Sequence, residues 1–221
     1  MQFTRNAHVY TSDRQQVGHI THVVLDPDTK KVTHVVVRQG IILTEDKVVP
    51  IELLQSSDPE GVILREDVGD LHGLLIFEEA HYVQVDLPHD VEAARLGGTV
   101  SGFYLWYPPA LPTPSINDIK KHGQYMVHRT VRRLEKNIPA GEVALKEGAE
   151  VISVDDHPVG HIESVLVDPQ TEQMTNIVIA RHVLLATHRR LVPVAWVHSV
   201  YENTVFLTVT EAELKDVPEY A

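Results

Sequence analysis

Residues 17–29 read Val17-Gly18-His19-Ile20-Thr21-His22-Val23-Val24-Leu25-Asp26-Pro27-Asp28-Thr29. Residues 159–171 read Val159-Gly160-His161-Ile162-Glu163-Ser164-Val165-Leu166-Val167-Asp168-Pro169-Gln170-Thr171. Eight of the thirteen positions are identical. Chance alone gives about one match in such a window, so the chain carries an internal duplication.

The duplication runs outward from this block. Val35-Val36-Val37 matches Ile177-Val178-Ile179, and Ile41-Ile42-Leu43 matches Val183-Leu184-Leu185. After one inserted residue, Val49-Pro50-Ile51 matches Val192-Pro193-Val194, and Val62-Ile63-Leu64 matches Val205-Phe206-Leu207. Val68, Leu71, Leu74 and Phe77 pair with Glu211, Leu214, Val217 and Tyr220, which gives each copy about seventy residues.

Within a copy the apolar runs are short, β-branched and broken by turn residues. That pattern predicts strands of a small barrel rather than helices. Asp26-Pro27-Asp28-Thr29-Lys30 reads as a hairpin turn, because proline presets the backbone and an aspartate carboxylate accepts backbone N–H bonds. Asp168-Pro169 repeats it. Gly18 and Gly160 point to a bulge or sharp bend. Thr210-Glu211-Ala212-Glu213 has the form of a helix N-cap, so each copy is expected to close with a short helix. A seventy-residue barrel buries little core, so the two copies are expected to pack on each other, on the connector or on a second chain.

The fold class expected is all-β: two small barrels, each ending in a short helix, joined by a long irregular connector. The domain boundaries follow as 1–80, 81–140 and 141–221. In the connector, Pro108, Pro109, Pro112 and Pro114 interrupt regular structure, while Met126–Val131 alternates like an edge strand, with a helix as the other option.

Composition narrows the function. The chain has 221 residues, 43% of them hydrophobic, 23% charged, and no cysteine, which excludes disulfides, thiolate metal sites and cysteine nucleophiles. No apolar run is long enough for a membrane helix, and no signal-like segment follows Met1, so a cytoplasmic location is expected. The net charge of −12 opposes polyanion binding overall. A nucleophile elbow, a phosphate loop and a zinc-protease motif are all missing, so a non-enzyme with no cofactor and no metal is expected. Among the fourteen histidines, His19, His22 and His34 are the set that could converge on a metal, but their spacing does not enforce it.

Two connector segments are the candidate partner-binding residues. Phe103, Tyr104, Trp106 and Tyr107 form an aromatic cluster of the kind that fills interface cores. Arg129, Arg132 and Arg133 sit in a basic stretch, residues 120–136, which leaves nucleic acid as an alternative partner. The principal expectation is a protein partner of unknown identity, with a homodimer as a further expectation.

The order of motifs resembles the PRC-barrel family. Its pattern is a Val-(Ile/Val)-Ser-x-Asp start, Val-Gly-x-Ile, an apolar strand ending in Asp-Pro, a Val/Ile-rich strand, a Val-Pro pair and a strand ending in leucine. Val151–Leu207 fits best, preceded by Asn137-Ile138-Pro139, and Val9–Leu64 fits well. The family includes the barrel of a ribosome maturation factor and the cytoplasmic domain of the photosynthetic reaction-centre H subunit. The resemblance implies a binding module, an adaptor or scaffold, with Gly18, Asp26, Pro27, Pro50, Gly160, Asp168, Pro169 and Pro193 as structural positions. The alternatives it leaves are an RNA- or ribosome-associated factor, a reaction-centre-associated subunit, and a small-ligand or metal-binding protein.

Overall fold

The computed structural model describes residues 1–40, 44–58, 61–66, 68, 71–86, 128–183 and 186–220; for residues 58, 80–86 and 128–134 it describes the backbone. The β-branched runs form strands, because branched side chains pack well on a pleated surface. Before and within the first copy these are β1 (Gln2–Thr4), β2 (His8–Tyr10), β3 (Gln16–Leu25), β4 (Val32–Gln39), β5 (Glu45–Pro50), β6 (Leu54–Asp58) and β7 (Gly61–Leu64). The middle of the chain contributes β8 (Glu78–Asp86) and β9 (His128–Lys136). Then follow β10 (Val143–Lys146), β11 (Glu150–Ile152), β12 (Pro158–Val167), β13 (Met174–Val183), β14 (Ala186–Pro193), β15 (Val197–Val200) and β16 (Thr204–Leu207). One α-helix, α1 (Glu211–Lys215), is present among the described residues.

Contacts divide the chain into two units. One holds Met1–Phe77 and Asn137–Ala221, the other Glu78–Lys136. In the first unit each copy builds a curled seven-stranded sheet, ordered β5-β4-β3-β2-β7-β6 and β14-β13-β12-β11-β16-β15. The shifts in register match position for position. Bulges at Val9/Tyr10, Ile20/His22 and Val24/Leu25 return at Val151/Ile152, Ile162/Ser164 and Leu166/Val167. Each bulge adds local twist, which is what curls the sheet.

The seventh strand of each sheet comes from the other side of the duplication. β1 precedes the first copy but pairs with β12, with Phe3 opposite Val165. β10 precedes the second copy but pairs with β3, with Leu145 opposite Val23. The two exchanges are equivalent residue for residue, so a local two-fold relates the copies. At its centre Lys31 bridges Gln173, Val32 N–H donates to Glu172 O at 2.9 Å, and Met174 N–H donates to Lys30 O at 3.0 Å.

The exchange merges the interiors. Phe3, Val9, Ile20, Val35, Val62 and Leu64 lie in one apolar cluster with Leu145, Val151, Ile162, Ile177, Val205 and Leu207. A buried aliphatic or aromatic side chain contributes roughly 1.5–3 kcal/mol, so a shared core offsets the small size of each copy. A second cluster covers the outer face of the first sheet. There Val24, Val36 and Val48 pack under Phe77 and Ala144, with Ile138 against them.

The helix expected at the end of each copy is present in the second, where Thr210 and Glu213 make a full capping box. The equivalent stretch of the first copy, residues 67–72, lies partly outside the described residues, and residues 71–74 are turns and bends. Among the described residues the second unit holds a two-stranded antiparallel ladder running from Glu78↔Lys136 to Asp86↔His128. Both ends of the supposedly irregular connector are therefore regular. The helix-breaking prolines at 108–114 fall outside them, and nothing prevents the alternating residues on either side from pairing.

Candidate binding surface

The structural positions named from the sequence frame the surface. Gly18 and Gly160 sit where neighbouring strands come closest. A Cβ on Gly160 would lie 2.6 Å from Ala180 O, and one on Gly18 would fall on the carbonyl of Arg38. Asp26 Oδ1 accepts from Asp28 N–H at 2.8 Å and from Thr29 N–H at 3.0 Å; Asp168 Oδ1 accepts from Gln170 N–H at 2.8 Å. These backbone donors hold both carboxyls below the usual aspartate range. Pro27 and Pro169 follow in the same turns. Pro50 and Pro193, at φ −56° and −62°, lead into short 3-10 turns at Ile51–Leu53 and Val194–Trp196.

Across the outer face of each sheet runs a row of residues set by register. In the first copy the row is Asp46, Arg38, His19, His8 and Gly61. Arg38 holds Asp46 through two bonds of 2.7 Å. His8 Nδ1 is 2.9 Å from Gln16 Nε2, and its ring stands edge-on to Tyr10 at 6.2 Å. Partial burial and then the Arg38 guanidinium push the His19 imidazole down from its ordinary value.

In the second copy the equivalent row reads Arg189, Ala180, His161, Glu150 and Thr204. The arginine and the aspartate are gone from their places, and a glutamate stands where His8 stood. Arg189 turns instead to Glu163, at 2.6 Å. Beside this row stands an aromatic pair at other positions, while Glu150 and Ile152 take the places of His8 and Tyr10. Tyr201 meets Phe206 edge to face at 6.0 Å, and Tyr201 is 57% exposed. Identical frames thus carry unlike surfaces.

The sequence singled out neither row as a whole. The equivalence of His19 and His161 was the one legible signal, and cross-strand register is what joins the other members. His22 and His34 do not converge with His19. His22 is buried, its Nδ1 3.0 Å from Thr21 Oγ1 and its ring 4.9 Å from that of Phe77, while His34 Nδ1 lies 2.9 Å from Thr33 Oγ1. Among the described residues no three histidines, aspartates or glutamates gather in a metal-like group. No described helix is long and apolar enough to cross a membrane.

The aromatic cluster Phe103, Tyr104, Trp106 and Tyr107 lies outside the described residues. On β9, Arg129 stands opposite Val85, Arg132 opposite Tyr82 and Arg133 opposite His81. Strand positions alternate, so Arg132 is out of phase with the other two.

Residues 5–71 match the family model of the PRC-barrel domain. The first copy is thus similar to the PRC-barrel domain over almost its whole length. The match falls on the copy that the sequence motifs had ranked second, since Val151–Leu207 looked the better fit. The PRC-barrel stretch takes in β2 to β7, the six strands of the first copy's own sheet. A search of curated proteins found no match.

Proposed function

We propose that this chain is a non-catalytic adaptor made of two PRC-type barrels, which holds protein partners on two chemically different faces of one frame. One observation carries the reading. The same cross-strand row is built of His8, His19 and an Arg38–Asp46 pair in the first copy, and of Glu150, His161 and Ala180 in the second. The bulges and the turns beneath it are kept. Duplication that preserves the frame while changing the surface suits two binding faces better than one repeated face.

Charge favours protein over nucleic acid. Residues 78–136 hold equal numbers of acids and bases, so the whole net charge of −12 resides on the two copies. An acidic body repels phosphate backbones. Exposed Tyr201 beside Phe206 is the kind of rigid aromatic that anchors protein interfaces.

The test is affinity capture with cross-linking from the native cell, run on the wild-type chain, on His8→Glu and on Tyr201→Ala. Each variant is expected to lose a different subset of cross-linked partners. If both variants keep the full wild-type set, the two-face reading fails.

A further inference from the structure

On the seam between the copies a shallow cleft is lined by Phe3, Arg5, Lys146, Glu147, Glu163 and Val165, among others. Arg5 and Glu147 occupy equivalent places, one at the end of each exchanged strand. Arg5 N–H donates to Glu163 O at 2.7 Å, and Glu147 N–H donates to Thr21 O at 2.9 Å. The local symmetry is kept in the backbone and broken in the side chains.

Glu147 Oε2 accepts from Asn6 N–H at 2.7 Å, which ties β10 to the loop after β1. Its other oxygen, Oε1, is buried without a hydrogen-bond partner, as is the hydroxyl of Thr4 on β1. A buried carboxylate oxygen lacking a donor is costly when charged and far less so when protonated. We infer that Glu147 is a proton-operated clasp on this seam, holding the exchanged strands firmly when protonated and loosening them when ionised.

The surrounding charges do not cancel the cost. Arg5 attracts the carboxylate, yet burial outweighs it and pushes the carboxyl up to about 7. Lys146 is its neighbour on β10. Glu163 on β12 is occupied by Arg189 at 2.6 Å, and beyond Lys146 stand His22 and Glu202, 4.0 Å apart.

The sign follows from linkage. The closed seam raises the proton affinity of this acid, so closed binds more protons than open. The contribution favouring closure is whole below the ordinary glutamate value of 4.5 and fades as pH climbs to about 7. Above that it is flat.

The measurement is hydrogen exchange on the full chain from pH 5 to pH 8, corrected for intrinsic rates, read at the β1–β12 and β10–β3 ladders. Their opening is expected to rise at least about tenfold across the range, with little change in the β4–β5 ladder. Glu147→Gln should flatten the profile. Arg5→Met should move its midpoint to higher pH, because it leaves the Asn6 N–H bond alone to favour the carboxylate. NMR titration of the Glu147 carboxyl in the wild-type chain is the independent reading. A midpoint in the ordinary glutamate range, or identical exchange profiles for wild type and Glu147→Gln, would overturn the clasp.

Discussion

The two copies agree at the shared turns and bends of the backbone and differ along the solvent-facing row, where His19 and His161 alone are kept. Glycine at the closest strand approach, aspartate at the hairpin turn and proline before the 3-10 turn are all kept. His8 against Glu150, Arg38 against Ala180 and Asp46 against Arg189 are not. Backbone geometry constrains the first group, and folding places little constraint on the second. Surface substitutions away from caps and turns change stability little, so these rows are free to diverge.

The comparison can be broken first at the seam. Phe3→Ala is expected to cost about 3–5 kcal/mol and Leu145→Ala about 2–5 kcal/mol, since both are buried in the shared core. The location matters more than the size. Phe3→Ala should raise hydrogen exchange in β12, which belongs to the second copy, and Leu145→Ala should raise it in β3, which belongs to the first. Damage confined to a variant's own copy would disprove the exchange of strands.

Next come the glycines. Gly160→Ala combines a close approach to Ala180 O with a positive φ of 146°, whereas Gly18→Ala meets only the close approach. Each should cost on the order of 1–3 kcal/mol in denaturant melts, with Gly160→Ala the larger. The reverse order would mean that the two bends are not equivalent.

The smallest effect is at the helix. Thr210→Ala removes the hydroxyl that caps α1 and should cost about 1 kcal/mol, read by denaturant melts. Exchange should rise around Leu214 and leave the first copy unchanged. A loss spread over both copies would show that α1 supports the common core more than its own sheet.

How much of this could be read from the chain depends on the range of each interaction. The Asp26 and Asp168 turns, the bends at Gly18 and Gly160 and the Thr210 cap are local, settled by residues two to four apart. The partnership of β1 with β12 is not. Three residues such as Gln2-Phe3-Thr4 have no usable period, and their partners lie more than a hundred and fifty positions away. The aromatic and arginine segments of the connector stand out by composition, which says nothing about register. The two cross-strand rows are illegible for the same reason, since His8, His19, Arg38 and Asp46 become neighbours only once three ladders are aligned.

The sequence by itself determined the duplication, the strand character, the turns and the helix cap, because each rests on covalent geometry and short-range hydrogen bonding. The tertiary structure alone decided that each copy borrows a strand from across the duplication, that one core serves both, and that Glu147 lies in the seam. Those outcomes depend on which distant apolar faces leave water together, and the hydrophobic effect is non-directional until the packing of the whole chain selects one arrangement.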